Sequence, residues 1–221
     1  MAATRPRKKS AVADHRPRVA RERRARTRAR ILTAAMDVFA AKGPDAPVID
    51  DFIRAAGIAR GTFYAYFTST DELLDATSAW LEDSLIHSIQ AEISAMDDPV
   101  LRLATGVRLW LRWSIEDRAW STFVVRSRFR GPLVERQLTS DLRAALDAGR
   151  LRFPSVPLAR DLVVGTILET MRRIVDEKVP ASLPEDLARL ILRALGLSER
   201  LAAKAISAPA PRINRPNPAL P

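Results

Sequence analysis

Between Pro47 and Leu74 the chain places two short apolar-periodic segments on either side of a single glycine, a pattern that few folds can use. Val48, Phe52, Ile53 and Ala56 recur at three- and four-residue steps over barely three helical turns, which end at Gly57, a residue able to take the left-handed conformation. A second short helix is expected over 60–67, with Phe63 and Phe67 stacked at i and i+4. Ser69 or Thr70 caps a further helix from Asp71. Gly57 lets the chain reverse sharply, and Ile58 and Ala56 pack the two helices at a steep angle. One face of the second helix is then left pointing outward.

The same periodicity makes the whole chain all-α. Before the reversal, Ile31, Ala34, Ala35, Val38 and Phe39 form one stripe that Gly43 and Pro44 stop, with helix expected to begin near Arg21. After it come a long helix over 71–96 and one over 99–116 with Leu103, Val107, Trp110 and Leu111 on one face. Further helices are read over 118–128, 132–148, 158–177, 184–195 and 198–206. Pro154 and Pro157 mark 150–157 as a connector. No strand pattern survives. The expected organisation is a disordered basic arm over 1–20 and a three-helix domain carrying the reversal over 21–70. A larger helical domain fills 71–206, and a proline-rich tail ends the chain over 207–221.

Charge is placed unevenly. Residues 1–30 hold 12 Lys or Arg against Asp14 and Glu22, which accounts for the whole formal excess of +10. The remainder is balanced, so only the N-terminal segment suits a polyanion, and nucleic acid is the expected one; a solubilising tail is the plainer alternative. The absence of cysteine excludes thiol nucleophiles and disulfide frameworks and fits a reducing, cytoplasmic setting. No stretch approaches the roughly 18 apolar residues of a membrane span. The two histidines, His15 and His87, fall in no nucleophile-base or metal-ligand spacing, and the eight glycines form no phosphate loop. No enzyme, cofactor or metal is expected.

With Phe63 and Phe67 inward, Arg60, Gly61, Thr62, Tyr64 and Ala65 turn wholly or partly outward, and Tyr66 lies at the margin. Gly61 and Ala65 are small where a groove wall comes close. Arg60 suits a bidentate contact to guanine, and the hydroxyls of Thr62, Tyr64 and Tyr66 suit phosphate oxygens. The helix N-termini at Val48 and Asp71 offer backbone amides to phosphate, and Ile49 and Thr70 beside them are also expected at the DNA. The run from Ala56 to Phe67, followed by Asp71-Glu72-Leu73-Leu74, resembles the DNA-binding domain of TetR-type regulators over residues 25–75. That resemblance implies a palindromic duplex-DNA operator, an all-helical second domain that takes a small-molecule effector, and a homodimer built on the last two main helices. Four positions depart from the family pattern. Ala59 stands where Ser caps the reading helix, at a cost of about 1 kcal/mol. Ala65 replaces a second Tyr, Thr70 a phosphate-binding Lys, and Pro47 a Thr. Arginines of the basic segment that leads into the apolar stripe of the first helix, among them Arg24, Arg26 and Arg28, are expected to make up the missing phosphate contacts.

In the second domain Trp80, Trp110, Trp113, Trp120, Phe123 and Met171 are expected to line an apolar effector cavity, with polar anchors among Arg108, Arg112, Glu116 and Glu169. Ordinary core packing is the competing reading of the same aromatics. For the dimer, Leu162, Gly165, Thr166 and Glu169 give one face and Leu187, Leu190, Ile191 and Ala194 another, which together make a four-helix contact. The functional expectation is a repressor released from its operator by an apolar or aromatic ligand. A ligand-independent architectural DNA binder, or a small-molecule binder with a vestigial reading helix, are the alternatives.

Overall fold

The computed structural model describes residues 15–127 and 132–211. Ten helices fill the described residues, with no strand among them. None is long and apolar enough to cross a membrane.

Helix α1 (His15–Lys42) is longer at its start than the sequence suggests. Residues 15–20, expected in the disordered arm, are helical, while residues 1–14 of that arm lie outside the described residues. The reason is local. Pro17 falls in the first turn, where no intrahelical N–H is needed, and the Arg- and Ala-rich run behind it favours helix. Its other end turns at Gly43 (φ 82°), whose N–H donates to the Phe39 carbonyl over 2.8 Å.

Next come α2 (Ile49–Ala56), α3 (Arg60–Tyr64) and α4 (Thr70–Ile93). The expected 60–67 helix is thus one turn shorter: both Tyr66 and Phe67 donate to the Phe63 carbonyl, at 2.9 and 3.0 Å, and tighten 65–67 into a turn. The expected boundary at residue 70 falls at the first turn of α4, which runs on unbroken. The second half comprises α5 (Pro99–Glu116), α6 (Arg118–Arg126), α7 (Pro132–Asp147), α8 (Val156–Asp176), α9 (Leu183–Ala194) and α10 (Glu199–Ser207). Ser155 caps α8, so Pro157 belongs to its first turn and not to the connector. Nor does the tail begin at 207. Arg108 and Arg112 hold the carbonyls of Ala208 and Ala210 at 2.8 and 3.3 Å, tucking the chain's end against α5; residues 212–221 lie outside the described residues.

Two cores result. One lies among α5, α7, α8, α9 and α10, with Leu111, Leu142, Val163, Ile191 and Leu192 at its centre. The other starts in α1, α2 and α3 with Ile31, Phe39, Phe52 and Phe63 and continues without a break into Leu109, Trp113, Trp120, Phe123 and Met171. Phe39 joins the two halves: its ring is 4.9 Å from Phe52 and 6.2 Å from Phe123. Each such side chain contributes about 1.5–3 kcal/mol by leaving water, so this seam is strong.

Candidate nucleic-acid interface and helical-domain cavity

The reversal between α2 and α3 is built by backbone geometry. Gly57 sits at φ 59°, ψ 46°, its N–H donating to Arg54 and that of Ile58 to Ile53. Ala59 provides no side-chain cap for α3, so this five-residue helix is held by Phe63 and by its flanks. Glu72 accepts from both the N–H and the hydroxyl of Thr68, at 2.7 and 2.6 Å, while the Glu72 N–H donates to Ser69. These bonds lower the Glu72 carboxyl pKa below its ordinary value. Asp51 behaves alike: its bond to Lys42 and then that from the Val48 N–H lower its pKa. Both charges brace the element that presents α3.

On the outer face Arg60, Gly61, Tyr64 and Ala65 are exposed, and Thr62 is half-buried. Nothing lies within 4 Å of a β-carbon built on Gly61, so its smallness serves no contact within the chain. Val48 is exposed, Ile49 half-buried against the core, and Thr70 half-buried at the start of α4, where Ser69 is the cap. Three of the expected phosphate ligands also make contacts within the chain. The Tyr66 hydroxyl donates to the Arg24 carbonyl at 3.3 Å, and the Arg24 guanidinium lies 5.3 Å over the Tyr66 ring and donates to Ala65 O. Arg28 stands 5.9 Å over Phe67. Arg26 is exposed beside Arg30 in a groove closed by Ala55. One partner was missed: Asp50 accepts from Arg60 at 2.5 Å, between two exposed side chains. Only their spacing across the reversal hints at it.

A cavity of about 630 Å³ lies among α4, α5, α6, α7 and α8. Its walls include Leu103, Val107, Val124, Leu138, Val163 and Ile167. Among the expected ligand residues only Trp110 lines it. Trp113, Trp120, Phe123 and Met171 are buried in the core that spans both halves, and Trp80 packs against that core. They back the cavity wall: Trp120 meets the Trp110 ring edge-on at 5.1 Å, and Trp110 Nε1 donates to Met171 Sδ at 3.3 Å. Glu169 points to solvent and pairs with Arg172.

The polar lining comes instead from residues the sequence reading passed over. Asp141, 4% exposed, accepts from Arg102 Nε at 2.8 Å and from Gln137 Nε2 at 3.2 Å. The signal available was an acid within the apolar run Leu138, Leu142, Ala145 of α7. Arg108 and Arg112, expected as anchors, share Glu185 and hold the C-terminal segment; Glu116 is exposed.

Exposed apolar side chains occur on several helices, among them α8 and α9, where the dimer face is expected. On α8, Leu158 and Leu162 are exposed with Gly165 and Glu169, and Thr166 is half-buried; on α9, Leu190 is 62% exposed and Ala194 is exposed. Leu187 and Ile191, expected on the same face, are 9% and 1% exposed. They turn into their own core because α9 packs its inner face on α5. Gly165 also lines the cavity.

Residues 31–77 match the family model for bacterial regulatory proteins of the tetR family. Residues 98–208, half of the chain, match the model for the tetracyclin repressor-like C-terminal domain. The HTH-type transcriptional regulator YfiR of Bacillus subtilis is 35% identical over 101 residues, which cover 42% of this chain and 48% of that protein. SrpR of Pseudomonas putida, an HTH-type transcriptional regulator, is 42% identical over 53 residues, 24% of this chain and 25% of that protein. The chain thus matches half or less of the length of these relatives. The crystal structure of RolR in complex with resorcinol superimposes with a TM-score of 0.67 at 28% identity, covering 88% of this chain and 100% of that one. That of the regulator FadR from Bacillus subtilis with stearoyl-CoA gives 0.67 at 19% identity over 74% of this chain and 96% of that one, a likeness of fold.

Proposed function

The chain belongs to the TetR family of bacterial regulatory proteins, and from that premise we propose that it is a homodimeric DNA-binding repressor, released from a palindromic operator by a small ligand. The observation that carries the release is the position of α6. Val124 and Val125 line the cavity, while their neighbour Phe123 packs against Phe39 and Arg126 donates to the Ala41 carbonyl near the end of α1. A ligand that displaces α6 therefore displaces α1, and with it α3. In a dimer joined through Leu162 and Gly165 of α8 and Leu190 and Ala194 of α9, the two copies of α3 address half-sites about 34–36 Å apart, and tilting α1 changes that spacing.

The ligand is a mostly apolar, neutral molecule bearing hydroxyl groups. Around the cavity Arg102, Arg160 and Arg172 are balanced by Glu135, Asp141 and Asp161, so the polar lining carries little net charge. The resorcinol held by RolR has this character, which supports a phenolic ligand here.

Gly106 provides the test. It lines the cavity, and a β-carbon there meets nothing within 4 Å. Gly106→Leu is expected to fill the cavity, keep operator affinity and abolish release by resorcinol and related phenols. The readout is fluorescence anisotropy on a duplex selected from a random library. Equal release from both proteins overturns the assignment of the cavity. Selection that yields no defined half-sites favours the architectural DNA-binding reading.

A further inference from the structure

We propose that the N-terminal half of α1 is a second DNA-contacting element, a rigid basic helix that lies along the phosphate backbone of duplex flanking the half-site. The proposal rests on the reading of α3 as the DNA-reading helix.

Only the part of α1 from Ile31 onward enters the core. The stretch over 15–30 extends ahead of it for about 24 Å at 1.5 Å per residue, and residues 17–24 are exposed throughout. A helix that buries so little has no packing reason to persist, and its charges oppose it. Arg21, Arg24 and Arg28 follow one another at three- and four-residue steps, where like charges repel. The segment's acid, Glu22, is taken by Arg18 at 3.5 Å. Arg21, Arg23, Arg26 and Arg30 form no ion pair among the described residues. A polyanion laid along this helix removes the repulsion.

Position selects DNA as that polyanion. The strut between α1 and the end of α3 fixes the extension beside the reading face: the Tyr66 hydroxyl donates to the Arg24 carbonyl, and the Arg24 guanidinium donates to the Ala65 carbonyl. Beyond them a groove runs between Val19, Ala20 and Arg23 on one side and Thr62 and Tyr66 on the other. A duplex that takes α3 into its major groove therefore meets the extension at the adjoining backbone, and the helix dipole adds positive potential at the leading end. Both charge and continuity with α3 point to the same molecule.

The test compares two duplexes selected by the full chain, one ending at the half-sites and one carrying about ten further base pairs on each side, a full helical turn. Wild type is expected to bind the longer duplex about tenfold more tightly, with a salt slope steeper by about 0.9 for each added phosphate contact. Replacing Arg18, Arg21 and Arg23 together by Gln should erase the difference. Ala20→Pro keeps every charge but breaks the helix, and should also erase it. Arg60→Ala should weaken base discrimination while the preference for the longer duplex stays. A wild type indifferent to duplex length, or a triple variant that keeps the tenfold preference, overturns the proposal even where α3 proves to read the half-site. A persistent flank preference in Ala20→Pro overturns the rigid-helix geometry.

Discussion

Arg60 leaves the first turn of α3 with its guanidinium 2.5 Å from Asp50, and under the proposed DNA-reading role that pair biases how Arg60 is presented. Two exposed side chains gain at most about 1 kcal/mol from each other, too little to keep Arg60 from a guanine but enough to favour one orientation. Arg60→Ala is predicted to cost about 1–3 kcal/mol on the selected duplex and to flatten preference at one base pair. Asp50→Ala should do the opposite to bulk affinity: it removes a negative charge near phosphate, so random duplex binds more tightly while preference at that base pair falls. Competition with single-base variants measures both. Two glycines separate fold from function in the same way. Gly196 lies at φ 90° with the Arg152 carbonyl 2.6 Å from any β-carbon, so Gly196→Ala should cost about 1–3 kcal/mol and lower the melting temperature by several degrees. Gly61→Ala, in open space on a helix, should hold or slightly raise the melting temperature and weaken DNA binding. The outward residues of α3 were legible because Phe63 and Phe67 fix the inward face. The strut role of Tyr66 was not, since it depends on a contact 42 residues away in sequence.

At the scale of elements, helices that announce themselves by caps fell where expected: α5 behind Asp98 and Pro99, and α4 behind Ser69. The start of α1 stayed hidden because an arginine-rich run without apolar periodicity reads as a free arm. The length of α3 was overstated because the two aromatics suit either a helix or the turn that Phe63 closes. Helix ends also set the acid response of the reading unit. Asp51 and Glu72 have pKa values below those of the unfolded chain, so their stabilisation is complete above the ordinary carboxylate range and is lost as pH falls through the lowered values. Operator binding and helicity are therefore predicted to decline together below about pH 4, from the ordinary carboxylate values, with Glu72→Gln flattening the decline in a pH titration.

Over the whole molecule, Trp110 lines the cavity while Trp113, Trp120 and Phe123 sit in the core that joins the two halves, because aromatic content alone does not distinguish a cavity wall from the packing behind it. Joined in this way, the protein should melt in one transition, seen alike by tryptophan fluorescence and circular dichroism; an early loss of the α1–α3 unit would contradict the shared core. Association belongs to this scale too. With Leu187 and Ile191 committed inward, the outward leucines carry the prediction: Leu190→Glu is expected to give a monomer by light scattering, with operator affinity down at least tenfold, and Gly165→Glu to act in the same direction. The contact between Phe39 and Phe123 also limits how this regulator can be re-engineered. The half that carries α1, α2 and α3 is not a detachable module. A chimera that grafts residues 15–70 onto another family member's sensing half must bring along the socket formed by Trp120 and Phe123, or the transplanted phenylalanine will hold its new host in neither the bound nor the released posture.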